Sequence, residues 1–199
     1  NITCVVNNDL CVGCGICSAV CPTGAIVLKL DRHTYKPIVQ DALCVNCGTC
    51  LKICPGNIAS SINHCLRNMQ TFHSLDEILG PFISCLIGYA ADEHIRIAGA
   101  SGGVVSALLS CALNEGLVDG ALVTLPEKGN PTLFSADVVK APSLLLKASG
   151  SKYCPVRMDK GLQAIAKGNG GYAFVGLPCH VSAVRRLTKI SRRLRGKIR

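Results

Sequence analysis

Eight cysteines form two identically spaced groups near the start of the chain. Each group has the pattern C-x2-C-x2-C-x3-C and is followed directly by a proline. Thiolates are soft sulfur donors, which suit iron in its low oxidation states. Groups of four such donors at one repeated spacing therefore predict bound iron and one-electron chemistry. The groups are Cys11, Cys14, Cys17 and Cys21, and Cys44, Cys47, Cys50 and Cys54.

Other uses of grouped cysteines account less well for this pattern. Disulfide bonds in secreted domains give no reason for one four-cysteine spacing to occur twice. A structural zinc site uses pairs of cysteines, not runs of four with a following proline. The pattern resembles that of bacterial ferredoxins that carry two [4Fe–4S] clusters. We therefore expect a ferredoxin-type domain with two such clusters in residues 1–60.

In the two-cluster pattern the fourth cysteine of each group binds the other cluster. Crossed ligation of this kind divides the eight cysteines into two mixed sets. Glycines at Gly13, Gly15 and Gly48 would let the backbone approach the clusters and direct N–H groups at their sulfides. The expected sets are Cys11, Cys14, Cys17 and Cys54 for the first cluster, and Cys44, Cys47, Cys50 and Cys21 for the second.

The formal net charge of +9 is concentrated at one end of the sequence. Residues 185–199 contain arginine and lysine at eight positions and no acidic residue. A solvated helix face or a docking face for an acidic partner explains such a segment. Charge alone also permits nucleic-acid binding. Because the segment has no aromatic residue, we expect no nucleic-acid partner.

The composition also bears on the compartment. No apolar run approaches the roughly 18 residues of a membrane-spanning helix, so we expect no transmembrane segment. The start of the chain has no signal-peptide pattern. Many thiols held as cluster ligands suit a reducing environment, which predicts a cytoplasmic protein. The chain begins at Asn1 and not at a methionine, which suggests a fragment or a processed chain.

Short strands are predicted around the cysteine groups. Residues 2–6 fit a strand that buries Cys4, and residues 26–28 and 38–39 fit two more. The second cysteine group ends much as the first does, which predicts two similar halves related by an internal repeat.

A polar, irregular stretch at residues 61–81 predicts a linker with a short helix from Leu75 to Leu79. His64, Cys65 and His73 stand at no recognised metal-binding spacing, and we expect them to occupy ordinary positions. Two further cysteines stand among apolar residues and are predicted to be buried. They are Cys85 and Cys111.

A glycine-containing turn precedes an apolar segment in the second half of the chain. Ser101 is a good N-cap, and an apolar helix is predicted from there to about Asn114. Gly116 should end that helix, and residues 117–125 fit a buried strand. A glycine turn that opens a helix can bind an anion or phosphate, although most such turns have only a structural role.

A second turn of this kind lies near the end of the chain. Residues 172–175 fit a buried strand, and Pro178 suits the first position of a following basic helix that runs through Leu187. Cys179 is therefore expected at a helix N-terminus, which lowers the pKa of a thiol. It is a candidate reactive thiol or ligand, or simply a residue of a tight turn beside a cofactor pocket.

Three segments in this order resemble the coenzyme F420 hydrogenase/dehydrogenase beta-subunit family. They are Gly99-Ala100-Ser101-Gly102-Gly103-Val104, Gly150-Ser151-Lys152-Tyr153 and Phe174-Val175-Gly176-Leu177-Pro178-Cys179. The resemblance implies an α+β chain with three parts: the ferredoxin-type domain at residues 1–60, the linker at 61–81, and an α/β flavin-binding domain at 82–199. The family continues well beyond the last segment, so this domain is expected to be incomplete.

The resemblance implies FAD as a cofactor and F420 as a substrate. It also implies cofactor contacts in the matching loops. Lys152 and His180 are the candidates for a catalytic role, and His180 stands where glutamine is commoner in related sequences. The implied cofactor-binding residues are Ser101, Gly102, Gly103, Ser151, Lys152, Tyr153, Pro178 and Cys179.

The expected activity is hydride exchange between F420 and FAD, followed by single-electron transfer through the clusters. A flavin belongs between the two because it handles both electron pairs and single electrons. The partner would be another redox subunit, such as that of a hydrogenase or formate dehydrogenase, or a ferredoxin. Two alternatives are a non-catalytic electron-transfer module and a flavin reductase of a substrate other than F420.

Overall fold

A small region that contains both cysteine groups opens the structure, a computed structural model that describes residues 1–32, 34–57, 74–76, 80–127 and 129–199. Strands β1 and β2 form an antiparallel hairpin, which confirms the strands expected at residues 26–28 and 38–39. The elements of this region are α1 (Thr3–Asn7), α2 (Ile16–Val20), β1 (Ile26–Asp31), β2 (Thr34–Val39), a 3-10 turn (Asp41–Leu43) and α3 (Thr49–Ile53).

Helices α2 and α3 are built alike. Each is preceded by a glycine in the left-handed conformation, Gly15 with φ of 72° and Gly48 with φ of 71°. Each ends at the fourth cysteine of its group, Cys21 or Cys54, which has an extended backbone. The left-handed turn favours glycine because other residues meet a steric penalty there. The repeated cysteine spacing thus folds into two similar local structures.

The expectation of a strand at residues 2–6 is wrong, because Thr3–Asn7 forms helix α1. The N–H groups of Val5 and Val6 donate to the carbonyl of Ile2. Ile2 and Val5 are buried, and their spacing of three residues places both on one helix face. Cys4 lies on the other face and is exposed, so its predicted burial is also wrong.

The second region contains a separate two-stranded sheet and a four-stranded mixed sheet with helices packed against it. The strand order is β7-β6-β5-β8. Strand β6 is antiparallel to β5, whereas β8 is parallel to β5 and β7 is parallel to β6. Its elements are β3 (Ser74–Asp76), β4 (Gly80–Phe82), α4 (Glu93–Ala98), α5 (Val104–Asn114), β5 (Gly120–Glu127), β6 (Asn130–Val139), a 3-10 turn (Pro142–Leu144), α6 (Leu145–Ala148), β7 (Val156–Arg157), α7 (Asp159–Lys167), β8 (Tyr172–Phe174) and α8 (Pro178–Ile190).

Helix α7 packs very closely on this sheet. Leu162 and Ile165 are fully buried on its inner face. A Cβ atom at Gly161 would lie 2.8 Å from the carbonyl oxygen of Ala136 and would overlap the side chain of Leu122. The absence of a side chain at Gly161 therefore sets the distance between helix and sheet.

The two regions share one hydrophobic core. Cys14, Ile16 and Ile53 of the first region pack with residues of the sheet and its helices, including Leu122 and Leu187. Across the same boundary, the N–H of Met158 donates to the carbonyl of Cys14 at 3.0 Å. The cysteine-rich region is therefore held against the sheet by direct packing.

Several sequence-based expectations for the second region need correction. Residues 74–76 form strand β3, paired with β4, and not part of a helix; residues 77–79 lie outside the described residues, as do His64, Cys65 and His73. Cys85 and Cys111 are both exposed and not buried. Cys111 lies in α5, which has no fully buried residue, so the apolar composition of that helix does not reflect burial.

The boundaries of α5 and β5 also differ from expectation. Gly103, with φ of 74°, is the N-cap of α5 in place of Ser101. Gly116 ends the helix in the left-handed conformation as expected, but Leu117 is exposed and the strand begins only at Gly120. The start of α8 at Pro178 agrees with the sequence pattern, and this helix extends to Ile190.

Among the helices that the structure describes, none has both the length and the apolar character needed to cross a membrane. The expected cytoplasmic location stays a prediction.

Candidate iron–sulfur sites and the adjoining crevice

The thiols of the first expected set lie together where the two regions meet. Cys14, Cys17 and Cys54 are buried, and Cys11 is partly exposed. The pKa of the Cys14 thiol is raised to about 12, mainly by burial and further by the thiols of Cys54 and Cys11. Burial likewise raises the pKa of Cys17, with smaller contributions from the thiols of Cys14, Cys54, Cys11 and Cys50. Cys54 of the second group thus lies within electrostatic reach of three thiols from the first.

The second expected set surrounds a small cavity. Cys21, Cys44, Cys47 and Cys50 all line it. The hydroxyl of Thr49 donates to Sγ of Cys47 at 3.3 Å and lowers the pKa of that thiol. The side-chain amide of Asn1 donates to Sγ of Cys44 at 3.8 Å. Hydrogen bonds to sulfur are one of the means by which proteins tune an iron–sulfur centre.

Both expected sets offer four sulfur donors each. Within the described residues, no three His, Cys, Asp or Glu side chains are grouped so as to hold one metal ion. Four thiolates are the usual protein ligands of a [4Fe–4S] cluster. The donor chemistry of the residues present therefore fits two such clusters, and the crossed division of the cysteines stays a prediction.

A crevice of about 380 Å³ lies beside β5, where the chain leaves β8. Its walls are mostly apolar and include Val105, Leu109 and Met158. The polar groups that face it are Ser106, Thr124, Lys152 and His180. Binding pockets for organic cofactors have this size and this combination of apolar walls with few polar groups.

Two of the three segments that carry the family resemblance line this crevice, and the first segment lines a cavity next to it. A second cavity of about 310 Å³ adjoins it and shares Val105, Ser106, Ala148, Gly150 and Val175 with it. The loop at residues 99–103, the loop at 149–151 and the residue that follows β8 all line this second cavity. The fold thus unites loops that are about 25 to 50 residues apart in the sequence, as long-range packing of α/β layers commonly does.

Lys152 lies at the edge of the crevice with its ammonium group already engaged. Nζ donates to the carbonyl oxygens of Ala148, Ser149 and Gly150 at 3.3, 2.5 and 2.9 Å. An ammonium group has three protons to donate, and these three acceptors use them. Lys152 therefore holds the loop that lines the crevice while adding a positive charge to its wall.

His180 lines the crevice from the first turn of α8 and is buried. Its Nδ1 accepts a hydrogen bond from the N–H of Leu177 at 3.4 Å. Burial lowers the pKa of His180 below its usual value. The ring is therefore neutral at pH 7, and with Nδ1 as acceptor its proton is on Nε2.

The remaining implied cofactor contacts divide into two groups. Ser101, Gly103 and Ser151 line the second cavity. Tyr153 is 98% exposed, and it lines neither cavity. The other three that line neither cavity are Gly102, Pro178 and Cys179.

The crevice adjoins the first set of thiols. Val12, between two positions of the first cysteine group, forms part of its wall. Met158 lines the crevice and donates its backbone N–H to Cys14. The thiol of Cys179 also makes a small electrostatic contribution to the raised pKa of Cys14. The crevice and the first set of cysteines thus share a wall.

Several lining residues were not identified from the sequence. Val12, Ser106, Thr124 and Met158 belong to this group. Thr124 could have been identified from the sequence, because it is a polar residue inside an otherwise apolar strand. Ser106 and Met158 carry no local signal, since only the packing of α5 and of the segment before α7 brings them to the crevice.

Two known protein families match separate parts of the chain. Residues 10–58 match the model described as "4Fe-4S dicluster domain". Residues 85–163 match the model described as "Coenzyme F420 hydrogenase/dehydrogenase, beta subunit N-term".

Individual relatives carry related names. The chain is 31% identical over 183 residues to the coenzyme F420-dependent sulfite reductase of Methanocaldococcus jannaschii, covering 92% of this chain and 26% of that protein. It is 28% identical over 186 residues to a subunit of the F(420)H(2) dehydrogenase of Methanosarcina mazei, covering 91% of this chain and 49% of the relative. The chain therefore spans about a quarter to a half of the length of these relatives.

A solved structure supports the same relationship. One chain of the F420-reducing [NiFe] hydrogenase complex from Methanosarcina barkeri aligns with a TM-score of 0.56 and 25% sequence identity. The alignment covers 62% of this chain and 43% of that one. The chain therefore resembles a 4Fe-4S dicluster domain in its first part and the N-terminal region of the coenzyme F420 hydrogenase/dehydrogenase beta subunit in its second part.

Proposed function

We propose that the chain is an iron–sulfur flavoprotein oxidoreductase. In this proposal it exchanges hydride between coenzyme F420 and FAD and passes single electrons through two [4Fe–4S] clusters to a partner redox protein. One observation carries the proposal: the three loops of the family resemblance line two adjoining cavities, and Val12 of the first cysteine motif forms part of the wall of the larger one.

The proposed cofactors divide the work by electron number. FAD, when bound, supplies the step between two-electron and one-electron chemistry, because a flavin handles both. Each cluster would be held by one crossed set of cysteines. The proposed sets are Cys11, Cys14, Cys17 and Cys54, and Cys44, Cys47, Cys50 and Cys21.

The side chains of the crevice would bind and orient the flavin and exclude water from it. Apolar walls suit the ring system of a flavin, and Lys152 adds a positive charge that favours an anionic group. His180, as a neutral ring with a proton on Nε2, can donate one hydrogen bond into the crevice. We propose these two residues as positioning groups for the flavin or for F420.

Retention of FAD by the crevice tests the proposal. The full chain is loaded anaerobically with iron, sulfide and FAD, and the flavin that remains after gel filtration is measured. Ser106→Phe inserts a ring into the crevice and should abolish retention, with unchanged iron content. Leu108→Phe serves as a matched control, because Leu108 lies on the same helix but is 65% exposed and lines neither cavity.

The alternatives give different results in the same experiment. Clusters without flavin in the unmodified chain would indicate an electron-transfer module that lacks catalysis. Equal flavin retention by both variants would place the flavin elsewhere. Bound flavin that does not react with F420 would favour a reductase of another substrate.

A further inference from the structure

A basic groove lies beside the C-terminal end of helix α2. It consists of two adjoining depressions of about 650 and 260 Å³ that share Val20, Pro22 and Ser191. Its floor is largely apolar, and Ile190 on that floor is 46% exposed. Four cationic residues line the groove: Lys52, Lys167, Arg192 and Arg193.

These four cations are available to an external partner. All four are exposed, and no Asp or Glu lines either depression. Within the part of the chain that the structure describes, none of them has a side-chain hydrogen bond or ion pair. By contrast, three other cations near the end of the chain donate to backbone carbonyls and have a structural role: Arg195, Lys197 and Arg199.

The groove reaches one of the proposed cluster ligands. Cys21 lines the groove and also lines the cavity of the second cysteine set. Lys52 acts electrostatically on Cys47, a member of the same set. The first set, in contrast, adjoins the crevice. The two thiol sets therefore face different surfaces of the molecule, and the second set faces the basic one.

We propose that this groove docks an acidic protein that carries one electron at a time. The proposal rests on the proposed function, because it requires a cluster at the second cysteine set. One electron passes between the redox centre of the carrier and this cluster, so that one is oxidised and the other is reduced. No bond is made or broken and no proton is needed.

The chemistry of the groove favours an acidic protein over a nucleic acid. Four exposed cations around an apolar floor suit a partner with carboxylates at its rim and apolar atoms at its centre. No aromatic side chain lines the groove to stack on bases. Interfaces for electron transfer are small and transient, and charge steers the encounter.

Charge reversal in the groove tests the proposal. The variant Lys167→Glu/Arg192→Glu/Arg193→Glu changes three groove cations. The control Lys140→Glu/Lys147→Glu/Lys160→Glu changes the net charge equally, at exposed residues that line neither depression. The probe is an acidic two-cluster bacterial ferredoxin. Its binding in the oxidised state is measured by calorimetry, and electron transfer from its reduced state by stopped-flow absorbance.

At low salt, we expect the groove variant to weaken ferredoxin binding and to slow electron transfer by about tenfold or more. The control variant should weaken binding and slow transfer by about twofold at most. Added salt should slow the unmodified chain steeply, since screening acts on exposed charges. Equal losses in both variants, or none, would overturn the proposal. So would a groove that binds a DNA duplex but no ferredoxin.

The two readouts separate this proposal from the proposed function. Binding of oxidised ferredoxin requires no electron transfer, and a small viologen reductant reports whether the clusters accept electrons without docking. In one outcome, ferredoxin binding depends on the groove but viologen cannot reduce the clusters. This result would support the docking face and contradict the proposed function. In the other outcome, viologen reduces the clusters but the chain binds no ferredoxin. This result would contradict the docking face and leave the proposed function unaffected.

Discussion

Arg186 brings a buried positive charge to the backbone of the cysteine-rich region. Its Nη1 donates to the carbonyl of Cys54 at 3.1 Å, and Ser182 fixes the guanidinium through two further hydrogen bonds. The charge acts on the Cys54 thiol and favours its anionic form. A nearby cation also stabilises the reduced state of a cluster, because reduction adds negative charge.

Replacing this charge should lower a reduction potential. We expect Arg186→Met to shift the potential of the cluster that Cys54 binds by roughly 50 mV to more negative values. A shift of about 59 mV in a one-electron couple corresponds to about 1.4 kcal/mol. The measurement is a redox titration followed by electron paramagnetic resonance. The control is Arg185→Met, an exposed neighbour on the same helix. Equal potentials in the two variants would show that Arg186 only supports the fold.

The partition of the cysteines can be tested by comparing single Ser variants. Crossed ligation predicts that Cys54→Ser leaves the same residual cluster spectrum as Cys11→Ser, and that Cys21→Ser leaves the same spectrum as Cys47→Ser. Cys4→Ser, at an exposed cysteine outside both sets, should retain both clusters. A Cys54→Ser spectrum that matches that of Cys47→Ser would mean that each group binds its own cluster.

At the scale of the elements, local sequence patterns predict turns and helix starts that depend on local contacts. The repeated cysteine spacing predicted two similar turns, and the structure has them because each left-handed glycine sets its own helix. The helix at residues 3–7 was mistaken for a strand because Ile2 and Val5 are three apart in a short apolar run, where periodicity separates the two states poorly. Local sequence patterns do not predict which residues line the crevice, because residues such as Ser106 reach it only through tertiary packing.

Gly161 offers a test of the packing between α7 and the sheet. Gly161→Val should lower the free energy of unfolding by about 1–3 kcal/mol, as overpacking of a tight core does. The added methyl groups would overlap Leu122 and the backbone of Ala136. A urea titration followed by circular dichroism measures the change. Lys160→Val places the same residue at an exposed position of that helix and should have a much smaller effect. Equal losses would contradict the close packing.

At the scale of the whole molecule, the two thiol sets connect two different surfaces. The first set adjoins the crevice that we propose for the flavin, and the second adjoins the basic groove. Cys14 of the first set lies in the core shared with the sheet, whereas Cys17 and Cys54 of that set and Cys50 of the second set lie in a separate small core. This arrangement suits a protein that takes up electron pairs at one surface and delivers single electrons at another.

The most direct test of this account follows reduced F420 and the clusters in one sample. Reduced F420 is added anaerobically to the full chain loaded with iron, sulfide and FAD. Absorbance reports oxidised F420, and electron paramagnetic resonance reports reduced clusters. We expect oxidised F420 to appear together with two cluster electrons for each hydride removed. If F420 stays reduced while dithionite reduces the clusters of the same preparation, the account is contradicted.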